Sequence, residues 1–507
     1  MFRRLIVNTA LSAAAFLTMS IVGLLLTPLI IRTYGLAAYG VVTLARLFLP
    51  AGVLALVDLG VSEVAIQVVA RAREDHDWRA ARAQLTLLCL TSIGLGIAAA
   101  ALLAAGAGAM TVLLKAPPEL AGALTRVLLL TAVALPILFI SLVAEGTLKG
   151  FERYDATRGL EVGATMLYAG LTLAAVFLGG SFEQVCLAYV LAQTLRALIA
   201  IALAAALLRK NGVLPMRWTP ADRRLIFERS GVLTYGRLIG SLQGQAPPML
   251  IAAIFGPAAT AVYDVLTRLP KFMKSVLGFI SATLLPVAVR LDVSNNTEGV
   301  RRLGETGLLL LTLVTLPLVT ASMFFSGEIL RLWIGPQVSD SWLWLSLMFV
   351  QPTIMSLVGF GSNMLLGRIE LTRRLNAVTS LQIVIQLGLS LALAGLLREK
   401  AFILGQIIAI CLTFPLSMSI IIRSQGLTHR VYGWLAKGTA VGGVLALVFS
   451  LLPRPDSLLE LAVSGAAWAA TAGGALWLIA TRADERKSLL RILSVLVPER
   501  MRRVFSG

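Results

Sequence analysis

The chain has 507 residues, 58% of them hydrophobic and only 14% charged, with a mean hydropathy of +0.86 and a formal charge of +18. Soluble domains carry about 25% charged residues, so a water-soluble enzyme or binding module is excluded. Apolar stretches of about 18 residues or more recur along the whole length, which marks an all-α polytopic membrane protein. The excess of 44 Lys and Arg over 26 Asp and Glu has a plain first explanation, because basic residues collect in the cytoplasmic loops of membrane proteins.

The N-terminus, MFRRLIVNTALSAAAFLTMS, resembles a secretory leader in its two arginines and apolar run. The run continues unbroken to Ile31, too long for the core of a cleaved leader, so it is taken as the first span. Length and hydropathy then predict fourteen spans, at 7–31, 39–69, 84–105, 121–148, 160–179, 184–208, 230–255, 261–289, 305–326, 342–367, 375–397, 402–422, 434–452 and 458–480. With the N-terminus inside, the cytoplasmic segments hold 30 of the 44 Lys and Arg and the outside segments hold 6. That bias places both termini in the cytoplasm. It also accounts for most of the positive charge, so no nucleic acid partner is expected. The outside loops are all short. They offer no platform for a membrane glycan polymerase or ligase, and the chain is expected not to be an enzyme. Cys89, Cys186 and Cys411 lie in separate apolar segments and His76 and His429 in polar loops, a pattern that suggests neither a disulfide framework nor a metal site.

The chain repeats itself. RRLI occurs at 3–6 and again at 223–226, and Pro28 and Ile31 match Pro248 and Ile251 at the same offset. One residue further out of step, Gly35-Leu36-Ala37-Ala38 faces Gly256-Pro257-Ala258-Ala259; one more, and Leu44, Arg46 and Leu47 face Leu266, Arg268 and Leu269. Six spans separate the copies, so the halves share one orientation. Parallel repeats imply a pseudo-twofold axis along the membrane normal, with the substrate site between the lobes. The predicted organisation is an N-lobe (1–208), a cytoplasmic linker helix (209–229), a C-lobe (230–433), two extra helices (434–480) and a basic tail (481–507). In the linker, Thr219-Pro220-Ala221-Asp222 has the form of a helix start, with Thr as N-cap and Pro in the first turn. In the tail, Leu489, Leu490, Leu493, Leu496 and Val497 share a helical face, as in a helix lying on the membrane surface.

One predicted span is unusual. Residues 263–275 read YDVLTRLPKFMKS. A loop here would leave flanking segments too short to cross, so the stretch is predicted to be helical within span 8. Asp264, Arg268, Lys271 and Lys274 then fall on one face. Charge at bilayer depth costs about 2.5–3.5 kcal/mol per residue, so such a face should line water or a partner. Other intramembrane charges are Arg46, Asp58 and Glu63 in span 2, Arg126 and Glu145 in span 4, Arg196 in span 6 and Arg237 in span 7. They are read as lining the same cavity. The excess is cationic and suits an anionic substrate, phosphate in particular. Arg46, Arg237, Arg268, Lys271 and Lys274 are the candidate diphosphate-binding residues. Asp58, Glu63 and Asp264 are the candidate ion-coupling carboxylates, each with plain pairing to Arg46 or Arg268 as the alternative. Prolines within the spans, among them Pro28, Pro136, Pro270 and Pro415, suit bent helices around a central site.

GLAAYG at 35–40, Val57-Asp58-Leu59-Gly60 and the six-plus-six repeat with an extra terminal pair resemble the Wzx-type polysaccharide flippases of the multidrug/oligosaccharidyl-lipid/polysaccharide exporter superfamily. The resemblance implies a two-lobe fold in the bacterial inner membrane. It implies transfer of an undecaprenyl-diphosphate-linked oligosaccharide from the cytoplasmic to the periplasmic leaflet, driven by an H⁺ or Na⁺ gradient and with no other cofactor. The implied partners are the lipid-linked oligosaccharide, membrane lipids and other membrane proteins of polysaccharide assembly. A lipid II flippase and a drug/cation antiporter of the same superfamily are the alternatives, and the basic excess counts against the antiporter.

Overall fold

The computed structural model describes residues 2–48, 60–213, 223–293, 297–365, 369–482, 485–486 and 489, with side chains set out in all of these except 2–10, 223–237, 280–293 and 369. Every regular element among them is helical. In chain order these are α1 (Phe2–Leu47), α2 (Val61–Asp75), α3 (Trp78–Leu113), α4 (Pro118–Gly150), α5 (Tyr154–Phe177), α6 (Phe182–Lys210), α7 (Arg223–Phe255) and α8 (Pro257–Val293). There follow α9 (Thr297–Phe324), α10 (Ser326–Trp333), α11 (Trp342–Met348), α12 (Val350–Asn363), α13 (Ile369–Leu397), α14 (Lys400–Gln425), α15 (Arg430–Phe449) and α16 (Leu458–Ala480).

Twelve described helices are long and apolar enough to cross a membrane, against fourteen predicted spans. The two differences have physical causes. Span 2 starts in the last part of α1, passes through 49–59, which lie outside the described residues, and resumes in α2. Span 8 is α8, whose charged residues keep it out of the apolar set, yet it is one helix of 37 residues. The stretch 263–275 is therefore helical throughout. Thr219–Asp222 of the linker also lie outside the described residues; from Arg223 onward the helix continues without a break into span 7 as α7. The loop predicted before span 10 holds unforeseen structure. It contains the amphipathic α10 and a short 3-10 helix at Pro336–Ser341. Arg331 of α10 pairs with Asp456 at 2.9 Å, and Arg454 reaches back to Glu328 at 3.0 Å.

The first two spans are joined by a single glycine. Gly35 has φ 84 and ψ 167 inside α1, a backbone region that side-chain-bearing residues avoid. Thr27 Oγ1 lies only 3.4 Å from Tyr39 Oη, twelve residues on, whereas twelve residues of straight helix would rise about 18 Å. The chain therefore doubles back at Gly35. Gly256, its counterpart in the repeat, has φ 89 and separates α7 from α8 in the same way. The internal duplication thus recurs as the same left-handed glycine break.

By its contacts the chain falls into two compact units, Met1–Val265 with Leu393–Phe402, and Leu266–Ala392 with Ile403–Gly507. In the first, α3 and α4 pack along their length around Leu103, Leu124, Leu128 and Leu135, with Val41 and Leu44 of α1 joining that core. Three contacts gather its turns at one end. Tyr34 donates to the Gly180 carbonyl at 2.9 Å, and Lys115 Nζ donates to the Ile254 carbonyl at 2.6 Å. Gly40 packs so closely that an added Cβ would stand 2.0 Å from the Pro257 carbonyl oxygen. In the second unit, Leu308, Leu311, Phe360, Ile410 and Met418 form the centre. The extra pair α15 and α16 docks on α9 through Trp468, which stacks on Phe324 and donates to Thr320 at 3.1 Å. Leu489 of the tail is fully buried in this core, and Arg430 holds Glu485 at 2.5 Å. The other tail residues of the predicted apolar face lie outside the described residues.

Gly256→Ala should lower stability by about 1–3 kcal/mol, the usual strain of a side chain in such a backbone region. Gly106→Ala, at an open position within α3, should leave stability unchanged or raise it. Thermal unfolding of both variants in detergent checks the contrast; equal melting temperatures would contradict a structural role for the break.

Candidate functional site

The continuity of α8 decides where its charges go. Along one helix, Asp264, Arg268, Lys271 and Lys274 progress by one turn at a time over a common face. Arg268 is half-buried, while Lys271 and Lys274 are exposed. Nothing in the local sequence breaks the helix: Pro270 removes one backbone donor, and α8 runs on through it.

Asp264 is tied to α1. The Tyr39 hydroxyl donates to its Oδ2 at 2.5 Å, a short charge-assisted bond joining the segment after Gly35 to α8. Tyr39 is fully buried. Its ring fills apolar space while the hydroxyl reaches the carboxylate, as buried tyrosine requires.

Arg46 sits among aromatics. Its guanidinium lies 5.2 Å from the ring centre of Tyr168 and 5.0 Å from that of Tyr189, and its Nη2 donates to the Tyr168 hydroxyl at 2.7 Å. The two rings meet edge to face at 5.2 Å. Among the described residues Arg46 forms no ion pair; Asp264 attracts it through space, at longer range than direct contact. The cation is therefore held by ring faces and one hydroxyl rather than by a carboxylate.

Two intramembrane charges expected in the cavity are instead bound to each other. Arg196 of α6 pairs with Glu145 of α4 at 2.9 Å, both largely buried, which ties the two helices together. Arg126 likewise forms a two-pronged pair with Glu183, one contact of which is 3.0 Å. These four residues are engaged in ion pairs with one another. Glu63 lies half-buried in the first turn of α2. Asp58 and the Arg237 side chain lie outside the described residues. Tyr39, Tyr168 and Tyr189 were not anticipated, although a tyrosine inside an apolar stretch is itself a signal, because its hydroxyl must find a partner there.

The sequence profile of a family described as "Polysaccharide biosynthesis protein" matches residues 5–292. The chain belongs to this family. No curated protein matches it. Solved structures do. The lipid II flippase MurJ in an inward closed conformation superposes with a TM-score of 0.67 at 12% identity, covering 92% of this chain and 99% of that one. An inward-facing multidrug resistance MATE family transporter of the MOP superfamily gives 0.62 at 15% identity, covering 82% and 94%. A Vibrio cholerae MATE transporter gives 0.60 at 14% identity, covering 83% and 97%. At these identities the likeness is one of fold. This family member is a multi-span membrane protein with the fold of MOP-superfamily transporters.

The Tyr39–Asp264 bond is testable by a double-mutant cycle. Tyr39→Phe should cost about 1.5–3 kcal/mol, the range for hydrogen bonds to charged groups. In an Asp264→Asn background the same change should cost clearly less. Denaturation of the four proteins in detergent gives the coupling; additive losses would mean that the bond contributes nothing.

Proposed function

We propose that this chain is a flippase that carries an undecaprenyl-diphosphate-linked oligosaccharide from the cytoplasmic to the periplasmic leaflet of the bacterial inner membrane. The observation that carries the reading is the unbroken charged helix α8 in a chain of the polysaccharide biosynthesis family. Arg268, Lys271 and Lys274 on its face bind the diphosphate, and Arg237 of α7 is assigned to the same headgroup. The sugars occupy water and the polyprenyl tail stays in lipid. Arg46, enclosed by Tyr168 and Tyr189, sets the local potential rather than gripping the headgroup. Translocation is alternating access coupled to an H⁺ or Na⁺ gradient. Asp264 is the preferred coupling carboxylate, because its bond to Tyr39 gives it something to release; Asp58 and Glu63 are the others. The partners are the lipid-linked substrate, membrane lipids and other membrane proteins of polysaccharide assembly. Both termini face the cytoplasm, and no covalent chemistry is performed.

A second reading has one observation in its favour. The superposition on the lipid II flippase covers 99% of that protein. Both substrates carry a polyprenyl diphosphate, so the α8 face serves either, and the glycan distinguishes them.

Ligand that binds only the folded state raises the melting temperature. Undecaprenyl diphosphate added to the protein in detergent should raise it by a few degrees, and Arg268→Ala/Lys271→Ala should abolish the rise. An equal rise in both proteins, or none in the wild type, would remove the headgroup from α8. A competing shift by lipid II that exceeds that of an oligosaccharide-linked diphosphate would favour the second reading.

A further inference from the structure

Arg46 leaves a donor unused. Its Nη2 reaches Tyr168 and its guanidinium lies near two rings, but the buried Nε–H has no hydrogen-bond partner. Two hydroxyls nearby share this condition. Thr43 Oγ1 and Thr172 Oγ1 are buried and unpartnered, with residue exposures of 7% and 0%. Some hydroxyls elsewhere are unpartnered too, Ser92, Thr315 and Thr353 among them, but many threonines behave otherwise. Thr27, Thr86, Thr131, Thr147 and Thr194 each donate to the carbonyl four residues back along their own helix. Thr43 and Thr172 forgo that bond, so their hydroxyls are available to something else.

Helix geometry places the three groups at a similar depth. Thr43 is three residues from Arg46 on the side of Gly35, a rise of about 4.5 Å along the helix. Thr172 is four residues beyond Tyr168 toward the α5–α6 turn at Gly179–Gly180. The Tyr34–Gly180 hydrogen bond holds those two turns together, so both displacements point toward the same end of the unit. Helical periodicity keeps each threonine on the face of the residue that meets the cage. Cys186, three residues before Tyr189, is also buried and lies within electrostatic reach of Arg46.

We propose that this layer, formed by Arg46 Nε, Thr43 Oγ1 and Thr172 Oγ1 above the Tyr168–Tyr189 cage, is a binding site for a small inorganic anion of the halide class. A guanidinium N–H and two hydroxyl donors converging on a buried cation present positive potential and no acceptor charge, which selects an anion. The layer is closed to solvent, since Thr172, Leu44 and Cys186 are essentially inaccessible, which favours a monatomic ion over a diphosphate. The bound anion balances Arg46 locally, a role that Asp264, held by Tyr39, fills only at a distance. The site is separate from the α8 headgroup face and stands whether or not the substrate reading holds.

The test is thermal unfolding of the full-length protein in detergent, in sodium gluconate with chloride replacing gluconate at constant ionic strength. The expected result is a saturable rise of a few degrees with chloride and with bromide, absent in Thr43→Val/Thr172→Val. No halide dependence in the wild type, or the same dependence in the variant, overturns the proposal. A rise with phosphate but not with halide also overturns it and assigns the layer to an oxyanion. If the variant does not fold, bromide-soaked crystals of the wild type decide: an anomalous peak among Arg46, Thr43 and Thr172 supports the site, and its absence refutes it.

Discussion

A charge at bilayer depth must be answered by something close to it, and this constraint organises the described interior of the protein. Each unanswered charge costs about 2.5–3.5 kcal/mol on insertion scales. The first unit answers its charges in three chemically different ways. Glu145 and Arg196 neutralise each other across α4 and α6. Asp264 accepts a hydrogen bond from the Tyr39 hydroxyl. Arg46 takes two ring faces and a phenol. The first is a direct charge pair, whereas ring faces and a phenol hold the Arg46 cation without a carboxylate in contact with it.

The GLAAYG segment shows how a short motif serves that end. Gly35 makes the reversal that a side chain would obstruct. Tyr39 follows on the next turn and delivers its hydroxyl to Asp264. Gly40 removes its own side chain so that Pro257, at the start of α8, can approach. The glycines set the backbone close enough for the tyrosine to reach, and Arg46 falls two turns further along the same helix. Three residues within six positions thus join the beginning of span 2 to the beginning of span 8.

Much of this was legible in the sequence, and what was not has a common cause. The helical class, the spans and the helical continuity of 263–275 follow from hydropathy and length, quantities that one segment carries alone. The matched glycines Gly35 and Gly256 were legible because a positive φ restricts the residue type. Pairing between distant helices was not. Glu145 and Arg196 are 51 positions apart, and no periodicity says that they meet rather than face a cavity. Tyr168 and Tyr189 looked like ordinary apolar-stretch residues until Arg46 was found between them. The α10 segment was missed because its eight residues are amphipathic and too short to register as a span.

The repeat also diverges where function would demand it. Arg46 and Arg268 occupy matching places, each about three turns past its glycine, yet the later helices of the two copies differ. The first copy surrounds its arginine with tyrosines from α5 and α6. The helices in the corresponding positions of the second copy, α13 and α14, carry buried amides instead: Gln382, Gln386 and Gln406. Aromatic faces hold a cation without neutralising it; an amide offers donor and acceptor together and has no sign preference. A pair of identical lobes would present the same potential twice. Here, duplication supplied the scaffold, and substitution at equivalent depths gave α5 and α6 aromatic side chains where α13 and α14 carry amides.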